Sequence, residues 1–226
     1  MKFIRHIFVL LFTFSLLSQA FAADPVAIVI RARGNVLMKQ AGKKAVKVKA
    51  GTRVYSGSKI ITKKRSFAAI KFIDDGSLVR IRSNSSCKVE GKKQKSSLLK
   101  NLFLEVGTIF SKITRQKGLF RVTTPTSVAS VKGTAFWTKQ EFKGATHYFG
   151  EQGRVEIKNQ AGLALLGPGE TGIVSSQNSK PIVRKTRPGE KPQHADGKEK
   201  TDELEFQFLD DNGHTKELKF KIKTKK

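Results

Sequence analysis

The sequence predicts an all-β protein, in which antiparallel strands form an elongated two-layer sandwich or a solenoid-like stack of β-hairpins. Apolar and basic residues alternate with a period of two, glycine turns separate the alternating runs, and no long segment carries the apolar stripe of a helix. Such alternation is typical of half-buried strands that turn apolar side chains inward and basic ones outward.

Three runs show the alternation most clearly: AIVIRARGNVLMK, KAVKVKAG and SLVRIRS. The residues predicted to face inward are Ile28, Ile30, Val46, Val48, Val79 and Ile81. In KSSLLKNLFLEVGTIFSKI, the stretch from Leu98 to Leu104 also fits a helix. Gly107 and the β-branched residues after it favour instead a strand from about Leu102 to Ile113.

A hairpin turn is predicted at Asp75-Gly76, between two alternating runs, because both positions tolerate positive φ. Asp74 and Asp75 also have the chemistry to bind calcium, but the further spaced carboxylates that a calcium shell needs are missing. We therefore expect a turn here.

Residues 1–22 have the features of an export signal. Lys2 and Arg5 precede an apolar run from Ile7 to Leu17, and Ala20-Phe21-Ala22 offers a small-x-small cleavage pattern. An uncleaved membrane anchor is the alternative, although the run is shorter than a bilayer span. Since Cys87 is the single cysteine and permits no internal disulfide, we expect a bacterial protein that is periplasmic or secreted.

The mature chain is predicted to have three parts: a β domain over residues 23–183, a charged flexible linker over 184–202, and a C-terminal β-hairpin over 203–226. The linker is rich in charge and turn residues and contains no Val, Leu, Ile or Met. In the hairpin, a three-residue loop at Asn212-Gly213-His214 is predicted to pair Phe208 with Leu218. A lone hairpin is marginal in water, so its apolar face should dock on the domain or on a partner.

VTTPTSVASVKGTAFW, residues 122–137, is interpreted as architecture: a strand that ends at Pro125, a polar connection, and a second strand from about Val128 to Trp137. Gly133 within this strand predicts a bulge or a close approach of another backbone. A functional alternative makes Thr134 or Lys132 a ligand contact. The structural signature residues are Thr124, Pro125, Gly133, Thr134, Phe136 and Trp137.

In this stretch, a TP dipeptide followed by V-[KR]-G-T-x-F resembles the signature of FecR-type domains, a family named for a ferric-citrate uptake regulator. Further elements match in order: DDGS at Asp74, LEVGTIFSKI at Leu104, EQGRVEI at Glu151, and LGPGE. The resemblance covers about residues 27–176. It implies an extracytoplasmic β-rich module that acts in envelope signalling through protein–protein contact.

The best-known members carry a cytoplasmic anti-sigma segment and a membrane span before this module. Here only six residues precede the apolar run that begins at Ile7. We therefore expect the module without the transcription-regulating segment.

The sequence does not predict an enzyme, and we expect no catalytic, metal-binding or cofactor-binding residue and no cofactor. His147 is the one histidine in the predicted β domain, and no nucleophile motif, metal-spaced cluster or phosphate loop accompanies it. Specific nucleic-acid binding is not expected either, because few aromatic residues are interleaved with the basic ones.

The charge pattern predicts a basic binding face. The chain has 44 Lys and Arg against 18 Asp and Glu, and no acid lies between Pro25 and Ile73. A field of this sign favours anionic partners: an envelope protein, an anionic cell-envelope polymer or a membrane surface. The predicted face consists of Lys43, Lys44, Lys47, Lys49, Lys63, Lys64 and Arg65.

The function predicted from these observations is an exported, non-catalytic binding or scaffold module of the bacterial envelope. The alternative is a periplasmic signalling or sensor component that adds a strand to a partner protein, through the hairpin or an exposed sheet edge. In that case the basic face serves only solvation.

Overall fold

The computed structural model describes residues 24–94, 97–113 and 118–193, and the backbone of 204–209 and 215–220. The predicted export signal lies outside the described residues. The described part of the chain contains strands and no helix, which confirms the all-β prediction. The strands are β1 Pro25–Arg33, β2 Val36–Lys39, β3 Val46–Lys47, β4 Arg53–Tyr55, β5 Ser58–Thr62, β6 Phe67–Phe72, β7 Leu78–Ile81, β8 Ser85–Gln94, β9 Ser97–Lys112, β10 Phe120–Thr123, β11 Val128–Gln140, β12 Thr146–Asn159, β13 Gly162–Leu166, β14 Glu170–Val174, β15 Ile182–Lys185, β16 Leu204–Leu209 and β17 Thr215–Phe220.

Strands β1 to β15 belong to one sheet that folds over into two layers. Layer one runs in the order β4, β1, β6, β7, the second half of β9, the second half of β11, the first half of β12, β14 and β15. Layer two runs in the order β3, β2, β5, β8, the first half of β9, β10, the first half of β11, the second half of β12 and β13. All pairs are antiparallel except β9–β10.

The chain crosses between the layers at corners where the backbone φ is positive. Along one edge the corner residues are Gly34, Arg65, Asn84 and Gly107, with φ of 74°, 53°, 54° and 105°. Along the opposite edge they are Gly57, Gly133, Gly153 and Gly169, with φ of 84°, 60°, 74° and 76°. Six of these eight residues are glycine, as a left-handed backbone favours, so the glycine turns seen in the sequence are the places where the sheet folds over.

Neighbouring corners along the first edge are hydrogen-bonded to each other. Lys63 N donates to Asn35 O at 3.1 Å, and Asn84 N donates to Lys63 O at 3.3 Å. Arg82 N donates to Thr108 O at 2.9 Å. The turns therefore stack from one strand pair to the next, and their exposed side chains form one continuous rim.

Inward side chains from both layers form a single apolar core. Val48, Val79 and Ile81 are buried as predicted. The prediction is wrong for Ile28, Ile30 and Val46, which are 38%, 46% and 52% exposed. The register of β1 shifts between Val29 and Arg31, so Ile30 is the extra residue of a bulge and Val29 faces the core instead.

Two local predictions are confirmed. β6 and β7 form a hairpin around Gly76, whose φ is 72°. The segment that also fits a helix is the long strand β9, which begins at Ser97 and bends at Gly107.

The first residues of the predicted linker are part of the domain. β15 reaches Lys185 and pairs with β14, and Thr186 N donates to Gly169 O at 2.9 Å. The compact unit extends to Lys191. We call residues 186–191 the strap. It follows the outer side of layer one, where a second aromatic cluster lies.

That second cluster contains Phe110, Ala135, Trp137 and Phe149, each at most 5% exposed. Trp137 therefore does not enter the main core, whereas its neighbour Phe136 does. Trp137 Nε1 donates to Glu151 Oε1 at 2.9 Å, and Lys191 Nζ donates to the same oxygen at 2.9 Å. The strap is thus linked to the only tryptophan of the chain through one carboxylate.

Glu190 fastens the strap. Its carboxylate accepts hydrogen bonds from the Arg184 guanidinium, at 2.9 Å and 2.5 Å, and from Arg187 N at 3.0 Å. The bonds from Arg184 are the largest cause of the lowered pKa of Glu190, about 2 instead of 4.5. Because the folded pKa is depressed, this contact stabilises the strap above about pH 4.5, and the contribution is lost as the pH falls towards 2.

We expect Glu190→Gln to loosen the strap at neutral pH and to shift the fluorescence of Trp137 to longer wavelength. The wild-type protein should show the same shift only on acidification between about pH 4.5 and 2. Far-ultraviolet circular dichroism, recorded in parallel, separates strap release from unfolding. An unchanged Trp137 spectrum in Glu190→Gln would show that Glu190 does not hold the strap.

The second compact unit comprises residues 192–226, and its described strands β16 and β17 pair antiparallel. The predicted register is wrong by two residues. Phe206 pairs with Leu218, Leu204 pairs with Phe220, and Phe208 pairs with Lys216. The connection between the strands is therefore longer than the predicted three-residue loop.

Among the described residues, no helix has the length and apolar character that a bilayer crossing requires.

Candidate functional site

The most basic part of the rim is the turn between β5 and β6. Lys63, Lys64 and Arg65 are consecutive and exposed there. Arg33, also exposed, ends β1 next to this turn, since a Cβ at Gly34 would lie 2.9 Å from Arg65 O. We call Lys63, Lys64, Arg65 and Arg33 the basic corner.

The side-chain hydroxyl of Ser66 fixes the backbone of this turn through hydrogen bonds. Asn35 N donates to Ser66 Oγ at 2.9 Å, and Ser66 Oγ donates to Lys64 O at 3.1 Å. Thr62 Oγ1 accepts a hydrogen bond from Ser85 N at 3.1 Å, which joins the turn to the next corner. The backbone of the basic corner is therefore fixed, and its side chains project from a rigid support.

The structure brings only part of the predicted basic face together. Lys49 is close to the basic corner, because Val48 N donates to Val36 O and Lys63 N donates to the adjacent Asn35 O. Lys47 lies on β3 opposite Leu37, one residue further along the ladder. Lys43 and Lys44 lie at the opposite end of β2, in the loop that follows Lys39. Four residues of strand separate the two groups by about 13 Å.

All seven predicted residues are exposed. None of them forms an ion pair within 4.0 Å with an acid that belongs to the described segments. Their charges are therefore not neutralised locally, and the potential of the basic corner extends into solvent over about one Debye length, roughly 8 Å at physiological ionic strength. This arrangement attracts anions.

The signature residue Thr124 belongs to a buried hydroxyl network, whereas its neighbour Pro125 is exposed. Thr124 Oγ1 lies 2.9 Å from Thr146 Oγ1, and Ser127 Oγ lies 2.9 Å from Tyr148 Oη. Burial raises the pKa of Tyr148 to about 12. Pro125 O accepts a hydrogen bond from Gln177 Nε2 at 2.9 Å. The network ties the β10–β11 turn in layer two to β12 in layer one.

Gly133 marks a bulge, which is one of the two predicted possibilities. The register between β11 and β12 shifts between Lys132 and Ala135. A Cβ at Gly133 would meet no atom within 4 Å, so no close approach exists at this glycine. The close approach occurs at Gly153 opposite, where a Cβ would lie 2.7 Å from Gly133 O. Thr134 is buried and Lys132 is exposed.

Asp74 and Asp75, which also have the chemistry to bind calcium, form a buried ionic cluster with Lys100. Lys100 Nζ lies 2.7 Å from Asp74 Oδ2 and 2.6 Å from Asp75 Oδ2. The side chains of Lys100 and Asp75 are each 1% exposed. Asp75 Oδ1 also accepts a hydrogen bond from Ser77 N at 2.9 Å. The ammonium group supplies the positive charge between the carboxylates and fixes the β6–β7 turn on β9.

His147 has the surroundings of a packed strand residue. Its ring stacks on Phe149 at 6.5 Å, and its Nε2 lies 3.4 Å from Glu141 Oε1. Burial is the largest influence on its pKa and lowers it, against the opposing effect of Glu141. In the described part of the chain, no group of three or more His, Cys, Asp or Glu residues is arranged to hold a metal ion.

Comparison with known proteins shows which family the central part of the chain is similar to. Residues 58–156 match the family model described as FecR protein. The VKGTAFW signature lies within the matched segment. The match is shorter than the range of about 27–176 over which the sequence resembles the family.

Solved structures add a distant likeness. Two crystal structures of a candidate anti-sigma factor from Parabacteroides distasonis ATCC 8503, at 1.65 Å and 2.50 Å resolution, match 56% of this chain at 19% identity with a TM-score of 0.49. This chain spans 59% of the length of that protein. No curated protein matches the chain.

Proposed function

We propose that this protein is an exported FecR-type scaffold module of the bacterial envelope, which binds an anionic partner through the basic corner and takes part in signalling without catalysis. The partner is an envelope protein with an acidic surface or an anionic envelope polymer. The observation that carries the proposal is the concentration of Lys63, Lys64, Arg65 and Arg33 on one rigid turn.

Two further observations support this function. The chain has a formal net charge of +26, so long-range attraction to anions accelerates encounter as well as binding. The β5–β6 turn also presents three consecutive exposed cations, Lys63, Lys64 and Arg65, that form no ion pair within 4.0 Å with an acid of the described segments.

The test is retention of the full chain on bacterial envelope fractions. We expect Lys63→Glu, Lys64→Glu and Arg65→Glu together to lower retention roughly tenfold or more. The matched control is Lys132→Glu, Lys143→Glu and Arg154→Glu, which makes the same change in net charge at exposed positions. The control also matches backbone geometry, since φ is 50° at Lys143 and 53° at Arg65.

Equal losses in the two triple variants would mean that only net charge matters and would refute a specific basic corner. Protease treatment of the envelope fraction then identifies the kind of partner. Loss of retention after proteolysis indicates an acidic protein, and retention that survives indicates a polymer.

A further inference from the structure

Each layer of the sheet ends in an edge strand. Both layers contain β12, which bends from one layer to the other. Beyond β12, layer one continues with β14 and then β15, whereas layer two continues with β13. Layer two therefore ends at β13, which lies near both β14 and β15 of layer one.

The inner face of β15 packs against the core. Val183 pairs with Gly172, and a Cβ at Gly172 would point at Ile157 of the core, 2.5 Å away. Val183 therefore faces inward and is partly buried against the core.

β13 also lacks the usual protection of an edge strand. Edges are normally blunted by short length, charge, proline or a bulge. β3 and β4, at the other end of the sheet, have two and three residues, and β15 carries Arg184 and Lys185. The sequence of β13 is GLALL, without charge or proline. Leu163 and Leu165 are 52% and 55% exposed on its outer face.

The backbone of β13 presents hydrogen-bonding groups to the open side. In an antiparallel ladder, hydrogen-bonded and non-hydrogen-bonded residue pairs alternate along the strands. Thr124 N donates to Ser127 O at the end of the β10–β11 hairpin, so these two residues form a hydrogen-bonded pair. The alternation continues from this pair across β11 and β12. On this alternation Ala164 bonds to Ile157, whereas Leu163 and Leu165 form non-bonded pairs with β12. The N–H and C=O groups of both leucines therefore point away from β12.

We propose that the open edge of β13 binds one extended strand of a partner protein by main-chain hydrogen bonds. The inference rests on the protein partner of the proposed function and assigns it a second contact, separate from the basic corner. Leu163 and Leu165 select alternating apolar side chains on the outer face. The surrounding Lys158, Lys180 and Lys185 favour acidic residues at the flanks of the partner strand.

A second copy of this chain is not the occupant of this edge. Antiparallel pairing of β13 with β13 of another copy would bring together the exposed Lys158 and Lys180 of both copies, and like charges on neighbouring strands destabilise such a pair. The occupant is therefore an extended segment of a partner that carries acidic residues.

The test uses the full chain and a synthetic peptide, acetyl-Glu-Val-Glu-Val-Glu-Val-Glu-amide, with amide hydrogen exchange followed by NMR. We expect the peptide to slow exchange of the Leu163 and Leu165 amides roughly tenfold or more and to leave that of Ala164 unchanged. The same peptide with N-methylated valines has equal charge but fewer donors, and it should give no protection. Protection by both peptides would indicate electrostatic adsorption and overturn the proposal.

Two variants locate the contact. Leu165→Pro removes an outward N–H without removing a bond to β12, so it should abolish the protection at Leu163. Leu165→Thr retains the N–H and should preserve protection. The triple charge reversal at Lys63, Lys64 and Arg65 should also preserve it, which separates this proposal from failure of the basic corner. Slow exchange of both leucine amides in the free protein would mean that the edge is already covered, and this would refute a partner strand.

Discussion

Gly107→Ala is expected to lower the free energy of unfolding by about 3–5 kcal/mol, because left-handed backbone strain is added to overpacking. Gly107 has a φ of 105°, and a Cβ there would lie 2.2 Å from Ser85 Oγ and 2.5 Å from Ser85 Cα. The Ser85 backbone belongs to the neighbouring corner, and it cannot move without breaking the hydrogen bonds that join neighbouring turns. Thr108 N, which donates to Ser85 Oγ at 3.0 Å, would be displaced as well.

Gly133→Ala is the matched control. Gly133 is also a corner glycine with positive φ, but a Cβ there would meet no atom within 4 Å. We expect a loss of only about 1–2 kcal/mol, from backbone strain alone. Urea unfolding of both variants measures the difference. Equal losses would show that the corners need glycine for its φ and not for the close approach of neighbouring turns.

Lys100→Met should destabilise the domain by about 3–5 kcal/mol, since removal of one partner leaves buried carboxylates without a counter-charge. Lys100 Nζ is in contact with both Asp74 and Asp75, and the Asp75 side chain is 1% exposed. The loss should appear in urea unfolding as a lower midpoint with an unchanged slope.

The triple variant Lys100→Met, Asp74→Asn and Asp75→Asn should recover most of that stability, because an uncharged cluster needs no counter-charge. The amide in Asp75→Asn still accepts the hydrogen bond from Ser77 N. If Lys100→Met alone were as stable as the wild-type protein, the ionic cluster would not fix the β6–β7 turn.

The period of two and the glycines predicted the strands and the turns between them, because both are local properties of the chain. The inward face of β1 was missed because the bulge at Ile30 reverses the alternation, and a bulge depends on pairing with β6. The sequence does indicate that Lys100 faces inward, because Lys100 is two and four residues from the buried Leu102 and Leu104 and so lies on the same side of the strand. A lysine on the apolar side of a strand indicates a buried acidic partner, and the nearby Asp74-Asp75 pair fits that role.

The site was only partly predictable for a similar reason. The charge pattern predicted one face of seven basic residues. Alternation along a strand shows which side chains share a face, but it does not show at which end of the neighbouring strand a loop residue such as Lys43 lies. The register of β2 with β3 and β5 separates Lys43 and Lys44 from the basic corner. The strap was interpreted as linker because its composition is charged, whereas its order depends on the specific pairing of Glu190 with Arg184.

The most direct test of the account is retention on envelope fractions as salt is raised from about 0.01 M to about 1 M, which shortens the screening length from about 30 Å to about 3 Å. We predict that wild-type retention falls steeply over this range. The Lys63, Lys64 and Arg65 charge reversal should be weakly retained at every salt concentration, and the Lys132, Lys143 and Arg154 reversal should follow the wild type. Wild-type retention that does not change with salt would contradict binding through the basic corner.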